Sequence, residues 1–274
     1  MKLLLVTLSF FLISCTSVST ANREVSNIKE IASHQRFITH PSDSNKRIEY
    51  FVDNKKSNTP QKTIILVHGH QHPQRPGGYD FVKWKVLEKW KNRGYVAVAI
   101  SQPGYGNSDG SPDYCGIYTQ DAIITVKNDL IKKGLSDPKN ISLLGISRGA
   151  MVSGMVASRQ RDIKNLVLIG GAYDLEALYN ALPDNPLKRN IRNEAGTETY
   201  QFRERSVLSH AEKINARTLI LHGKNDREPT FKNASDLFSL LKVSGNQVQF
   251  KAFESGHRIP IPERNKIIDR FLLN

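Results

Sequence analysis

Short β-branched runs alternate with amphipathic stripes along most of this chain, and that alternation constrains its fold more than any other feature. Thr63-Ile64-Ile65-Leu66-Val67 is a continuous apolar run, the pattern of a strand covered on both faces. Runs of the same kind recur at Tyr95 to Ile100, Ile141 to Leu144, Leu166 to Ile169 and Thr218 to Leu221. Segments of helical period lie between them. Phe81 to Lys91 is one, closed by Gly94; Ile123, Val126, Leu130 and Ile131 form another before Gly134; Arg148 to about Ser158 is a third. Phe231 to Lys242 reads as a helix, Val248 to Phe253 as a strand and Glu263 to Leu273 as a final helix. Repeated βα alternation predicts a mostly parallel sheet with helices on both faces. Arg47 to Val52 alternates like a half-exposed strand ahead of it.

The chain has 274 residues, enough for one large domain or two small ones. With 39% hydrophobic and 24% charged residues, it is not a wholly disordered chain. Two Cys residues exclude a disulfide-rich scaffold and a four-Cys zinc site. Residues 46–274 are expected to form the folded domain. Ala172 to Ala216 breaks the alternation and holds Pro183, Asn185 and Pro186, so residues 172–216 read as a cap or insertion over a site.

Gly145-Ile146-Ser147-Arg148-Gly149 is the sharpest motif. It matches G-x-S-x-G between a buried strand and a helix, where a sharp turn lifts the Ser hydroxyl into a pocket. Such a hydroxyl needs a base and an orienting acid. Asp226 follows the run ending in Leu221-His222-Gly223, and His257 follows the strand ending at Phe253. The order Ser147, Asp226, His257 suits the two roles, with Asp174 as the alternate acid. The amide of Arg148 is one expected donor to an oxyanion. The Arg148 side chain is expected either to greet an anionic substrate or to pair with a helix carboxylate. Cys115 is expected to be a small, partly buried residue.

These segments resemble the α/β-hydrolase family. Val67-His68-Gly69, Gly104-Tyr105-Gly106-Asn107-Ser108-Asp109-Gly110, the Ser147 pentapeptide, His222-Gly223-Lys224-Asn225-Asp226 and Gly256-His257 stand in the family's order. Residues 202–211, Phe202 to Ala211, resemble the segment that the prolyl-oligopeptidase and dienelactone-hydrolase branch places before its acid strand. The resemblance implies the α/β-hydrolase fold and a serine hydrolase acting through Ser147, His257 and Asp226. It assigns the second oxyanion donor to His70, within His68-Gly69-His70-Gln71, and requires no metal or organic cofactor. Ala150 stands where peptidase members have a second Gly, and the sequence shows no N-terminal propeller. Small esters are therefore at least as well suited as short peptides as substrates.

A rival chemistry is visible in His68-Gly69-His70-Gln71-His72. Alternating His residues can share a zinc ion, and this run resembles the H-x-H-x-D-H motif of metallo-β-lactamase-like hydrolases. Gln71 replaces the Asp there and Pro73 follows; His210, His222 or His257 and a carboxylate would have to complete the set. A third reading is a non-catalytic lipoprotein on a hydrolase scaffold.

Met1-Lys2 precedes a short apolar run ending in Leu12-Ile13-Ser14-Cys15, too short to span a membrane. Those last residues resemble a bacterial lipobox. The resemblance implies a signal peptide over residues 1–14, lipidation of Cys15, a tether and lead-in over 15–45, and a location in the cell envelope. The net charge is +13, and removal of Lys2 with the leader leaves +12. The basic residues are scattered without an aromatic platform, so a solvated basic surface is expected and no nucleic-acid partner.

Overall fold

The structure is a computed structural model that describes residues 33–72 and 74–274. Cys15, the leader and most of the expected tether lie outside the described residues. Arg36–Asn274 forms one compact unit. It starts earlier than the expected residue 46, because β1 (Gln35–His40) and β2 (Asp43–Asp53) are strands of the sheet. Five of the six positions in β1 are at least partly open to solvent, and only His40 is buried, so no apolar alternation marked it.

The sheet has eight strands in the order β1-β2-β4-β3-β5-β6-β7-β8. Its remaining members are β3 (Gln61–Val67), β4 (Val96–Ile100), β5 (Ser136–Ile146), β6 (Ile163–Ile169), β7 (Arg217–Gly223) and β8 (Val248–Phe253). β2 runs antiparallel to β4, and every pairing from β4 through β8 is parallel. This is the mostly parallel α/β-hydrolase sheet. The parallel strands carry Val, Ile and Leu on both faces because helices cover both. Ile65 and Val67 join a core with α3 (Ile117–Lys132) and α4 (Arg148–Arg159), through Ile123, Val126, Met151 and Val152. Leu66 and Leu144, on the opposite face, meet Trp90 and Ile268 around a cavity.

The stripe from Phe81 to Lys91 is two helices, α1 (Tyr79–Lys83) and α2 (Val86–Asn92). Lys85, in the left-handed region at φ 58°, separates them. The break lets α1 bury Phe81 and Val82 while α2 buries Leu87 and Trp90 along a new axis. It also leaves Trp84 exposed. The later elements are α5 (Leu175–Ala181), α6 (Pro186–Ala195), α7 (Thr199–Arg203), a 3₁₀ turn over Val207–Lys213, α8 (Phe231–Val243) and α9 (Ile261–Leu273). Pro186 opens α6 behind an Asn185 cap whose side chain accepts from the Lys188 amide.

Candidate active site

The site begins at the junction of β5 and α4. Ser147 sits between them at φ 55° and ψ −121°, a backbone region that costs on the order of 1–3 kcal/mol. Its amide donates to the Ile169 carbonyl at 2.7 Å, and its carbonyl accepts from the Ala150 amide at 2.9 Å. The flanking glycines are steric requirements. A Cβ at Gly145 would lie 2.2 Å from the Gly149 carbonyl oxygen, and one at Gly149 would lie 2.2 Å from that of Val67.

Three parts of the sequence converge here. The His257 ring places Nε2 3.1 Å from Ser147 Oγ, and its Nδ1 donates to Asp226 Oδ2 at 2.8 Å. With its proton on Nδ1, the imidazole presents the Nε2 lone pair to the Ser hydroxyl. The Asp226 side chain is 2% exposed, and its other oxygen accepts from the Glu228 amide at 3.1 Å. Both oxygens are held, so the carboxylate cannot swing away from the ring. Asp174, the alternate acid, is committed elsewhere: it caps α5 and accepts from the Ala177 amide at 3.0 Å.

His222 is a neighbour that the sequence marked only as a possible metal ligand. It is fully buried at the end of β7, donates from Nε2 to the Pro229 carbonyl at 3.1 Å, and stands 3.5 Å from Asp226 Oδ2. Burial lowers its pKa and keeps it neutral. A neutral N–H can support the carboxylate without competing with His257 as a second cation.

The two expected oxyanion donors belong to the first turn of α4 and to the loop after β3. Arg148 is the first residue of α4, so its amide precedes the helix's internal hydrogen bonds. His70 lies in the loop after β3 and lines the cavity with Ser147. Its ring is tied back by a 3.0 Å bond between Nδ1 and the Tyr105 hydroxyl. Burial, then the charges of Arg148 and Arg75, push its pKa down to about 4. Gln71 pins the same loop: its Oε1 accepts from the Gly77 amide at 2.7 Å and its Nε2 donates to Asp80 at 2.9 Å.

The Arg148 side chain turns away from the cavity. It is buried, forms an ion pair with Glu194 at 2.7 Å whose angles fall short of a hydrogen bond, and lies over the Tyr114 ring at 4.6 Å. Of the two expected roles, it takes the helix carboxylate. Cys115 is buried beneath it, with Sγ 3.6 Å from the Arg148 carbonyl. Burial pushes that thiol up to about 12, so it is inert at neutral pH.

The alternating His residues do not converge on a common point. His68 uses both ring nitrogens: Nδ1 donates to the Gly69 carbonyl at 2.7 Å, and Nε2 accepts from the Gln102 amide at 3.1 Å. His70 stacks on His72 with centroids 6.3 Å apart, and His210 sits in the 3₁₀ turn. Among the described residues, no three His, Cys, Asp or Glu side chains are grouped to hold a metal.

A cavity of about 750 Å³ opens at Ser147 and His257. Its walls come from the loop after β3, from α1 and α2, and from α9. Residues 172–216 contribute none of its lining, so the expected cap does not shape it. That segment instead buries Ile191 and Phe202 in the core and carries Glu194 to Arg148.

The model of the prolyl oligopeptidase family matches residues 83–274. Acylamino-acid-releasing enzyme 1 of Oryza sativa subsp. japonica is 25% identical over 231 residues. That match takes in 78% of this chain and 29% of the rice enzyme. The acylaminoacyl peptidase of Pyrococcus horikoshii superimposes with a TM-score of 0.71 at 18% identity, over 88% of this chain and 41% of its own. This chain thus spans less than half of either relative. The esterase Pf2001 of Pyrococcus furiosus superimposes with a TM-score of 0.65 at 18% identity, over 87% of this chain and 90% of its own. The chain belongs to the prolyl oligopeptidase family, a family of serine hydrolases built on the α/β-hydrolase fold.

Proposed function

We propose that this protein is an exported serine hydrolase that cleaves an ester or amide through an acyl-enzyme on Ser147. The observation that carries the reading is the unbroken line from Ser147 Oγ to His257 Nε2 at 3.1 Å and from His257 Nδ1 to Asp226 at 2.8 Å. In the first half-reaction Ser147 Oγ bonds to the substrate carbonyl carbon and its proton passes to His257 Nε2. The carbonyl oxygen becomes an oxyanion facing the amides of Arg148 and His70. The intermediate collapses, the C–O or C–N bond breaks, and His257 returns the proton to the leaving group. Water then bonds to the acyl carbon as it gives a proton to His257 Nε2; the bond from that carbon to Ser147 Oγ breaks, His257 returns the proton to Oγ, and the acid leaves. Asp226 holds the ring and stabilises the imidazolium without itself taking the proton.

The balance between ester and peptide has support on both sides. The rice relative is named as an acylamino-acid-releasing enzyme, the Pyrococcus horikoshii relative as an acylaminoacyl peptidase, and the Pyrococcus furiosus relative as an esterase. A peptidase of prolyl-oligopeptidase type acting on short peptides is the second reading. Ser147→Ala should lower kcat/KM by at least about 10⁴-fold on p-nitrophenyl acetate and on short peptide anilides alike. Near wild-type turnover in that variant contradicts the mechanism, and the ratio of the two wild-type rates separates esterase from peptidase.

The envelope location rests on the sequence around Cys15 alone. Acylation there would hold the hydrolase at a membrane surface, since each buried methylene contributes about 0.8 kcal/mol. Radiolabelled palmitate should enter the protein in cells and be lost in Cys15→Ala. Equal labelling of that variant would remove the anchor from the proposal.

A further inference from the structure

The cavity at Ser147 is a slot along one face of the sheet, and its walls are mostly hydrocarbon. Leu66 and Leu144 form its floor, and Trp90 of α2 and Ile268 of α9 lie on either side. All four are buried. Two further wall residues, Trp84 and Ile261, are each 59% exposed, although both are large and apolar. Single exposed apolar residues are ordinary. Two of them lining one slot that ends at an activated hydroxyl is a different matter, because anything held there covers both. Arg264 adds its methylene stem to the wall. Its Nε has no acceptor among the described residues, and an oxygen on a bound group or a water would relieve that orphaned donor. The volume, about 750 Å³, lies in the range of small-molecule sites and exceeds what an acetyl group needs.

The side of the scissile bond that enters the slot follows from the chemistry of turnover. The leaving group must depart, and water must replace it beside His257 Nε2. The His257 side chain is 42% exposed, so that exchange has an open route to solvent. The apolar slot suits the part that stays behind, the acyl group covalently held on Ser147. The opposite side of the elbow is closed by the buried Arg148 and Glu194 pair with Tyr114.

Resting on the assignment of Ser147 as nucleophile, we propose that this slot is an acyl-chain subsite, and that the preferred substrates are esters of medium-length unbranched aliphatic acids. Bound chains run between Trp84 and Ile261 over Leu66 and Leu144.

The test uses the full chain in detergent below the substrates' micelle concentrations. In a p-nitrophenyl ester series from acetate to decanoate, kcat/KM should rise by about three- to fourfold per added methylene until the slot is full. Acetate esters of lengthening alcohols should show no such rise. Val86→Trp, which narrows the slot from α2, should lower the octanoate-to-acetate ratio at least tenfold. Ile261→Ser, at an exposed position, should lower it by a smaller factor and guards against misfolding of the first variant. Labelling of Ser147 by a small fluorophosphonate in each protein reports the nucleophile separately from the slot. Labelled enzyme with a flat acyl series, a rise only in the alcohol series, or a ratio unmoved in both variants would overturn the subsite and leave the nucleophile standing. Absence of labelling in the wild-type protein would instead strike the underlying reading.

Discussion

His68 shows how a residue that looks catalytic by type can be structural by its bonds. It follows β3 and is buried, and it joins the loops after β3 and β4: Gln102 donates its amide to the His68 ring and its side-chain Nε2 to the His68 carbonyl at 2.7 Å. One nitrogen donates and the other accepts, so only the neutral ring fits. Burial accordingly lowers its pKa from 6.5 to about 4. The sign of the consequence is set by the unfolded chain, which takes up the proton more readily. Stability is complete above about pH 6.5 and declines as pH falls towards 4, by about 3 kcal/mol at most for this one group. Urea unfolding at several pH values should show that slope in wild type and a shallower one in His68→Gln. Equal slopes would mean that His68 is not the titrating group. At this scale the placement of Ser147, Asp226 and His257 after strand ends was legible in the sequence, because each follows a strand run at a spacing where a loop can carry it to the sheet's C-terminal edge. It did not name Glu194, and it offered His222 only within a motif and as a possible metal ligand, because the parts both play depend on contacts.

At the scale of elements, the parallel strands were readable because burial on both faces demands unbroken apolar runs. β1 was not readable: as an edge strand, with its side chains largely open to water, it needs no such run. The division of α1 from α2 was hidden for another reason. The apolar period continues smoothly through Phe81, Trp84 and Leu87, and nothing in Lys85 marks it as a residue that will turn left-handed. The break also shapes the cavity, since it leaves Trp84 on its wall and exposed instead of packed into the core. Residues 172–216 show the limit of reading an insertion from length alone. The segment was expected over the site and is found braced against α4, where Glu194 neutralises the buried Arg148. Breaking such a buried pair by removing one partner costs about 3–5 kcal/mol. The segment thus supports the helix whose first amide is proposed to face the oxyanion.

At the scale of the whole molecule, the described unit brings Ser147, His257 and Asp226 together from three strand ends, beside a largely apolar cavity. The family match and the fold agree with this arrangement, yet relatives on the same fold are named as peptidases and as an esterase. Fold alone does not choose between them. What the account depends on is an activated serine at position 147. The most direct measurement treats the full chain and its His257→Ala variant with a fluorophosphonate and maps the adduct by intact mass and peptide analysis. The account predicts one adduct per chain, on Ser147, formed rapidly in wild type and lost or strongly slowed in the variant. An unmodified Ser147 in folded protein, or labelling that proceeds equally well without His257, would contradict it.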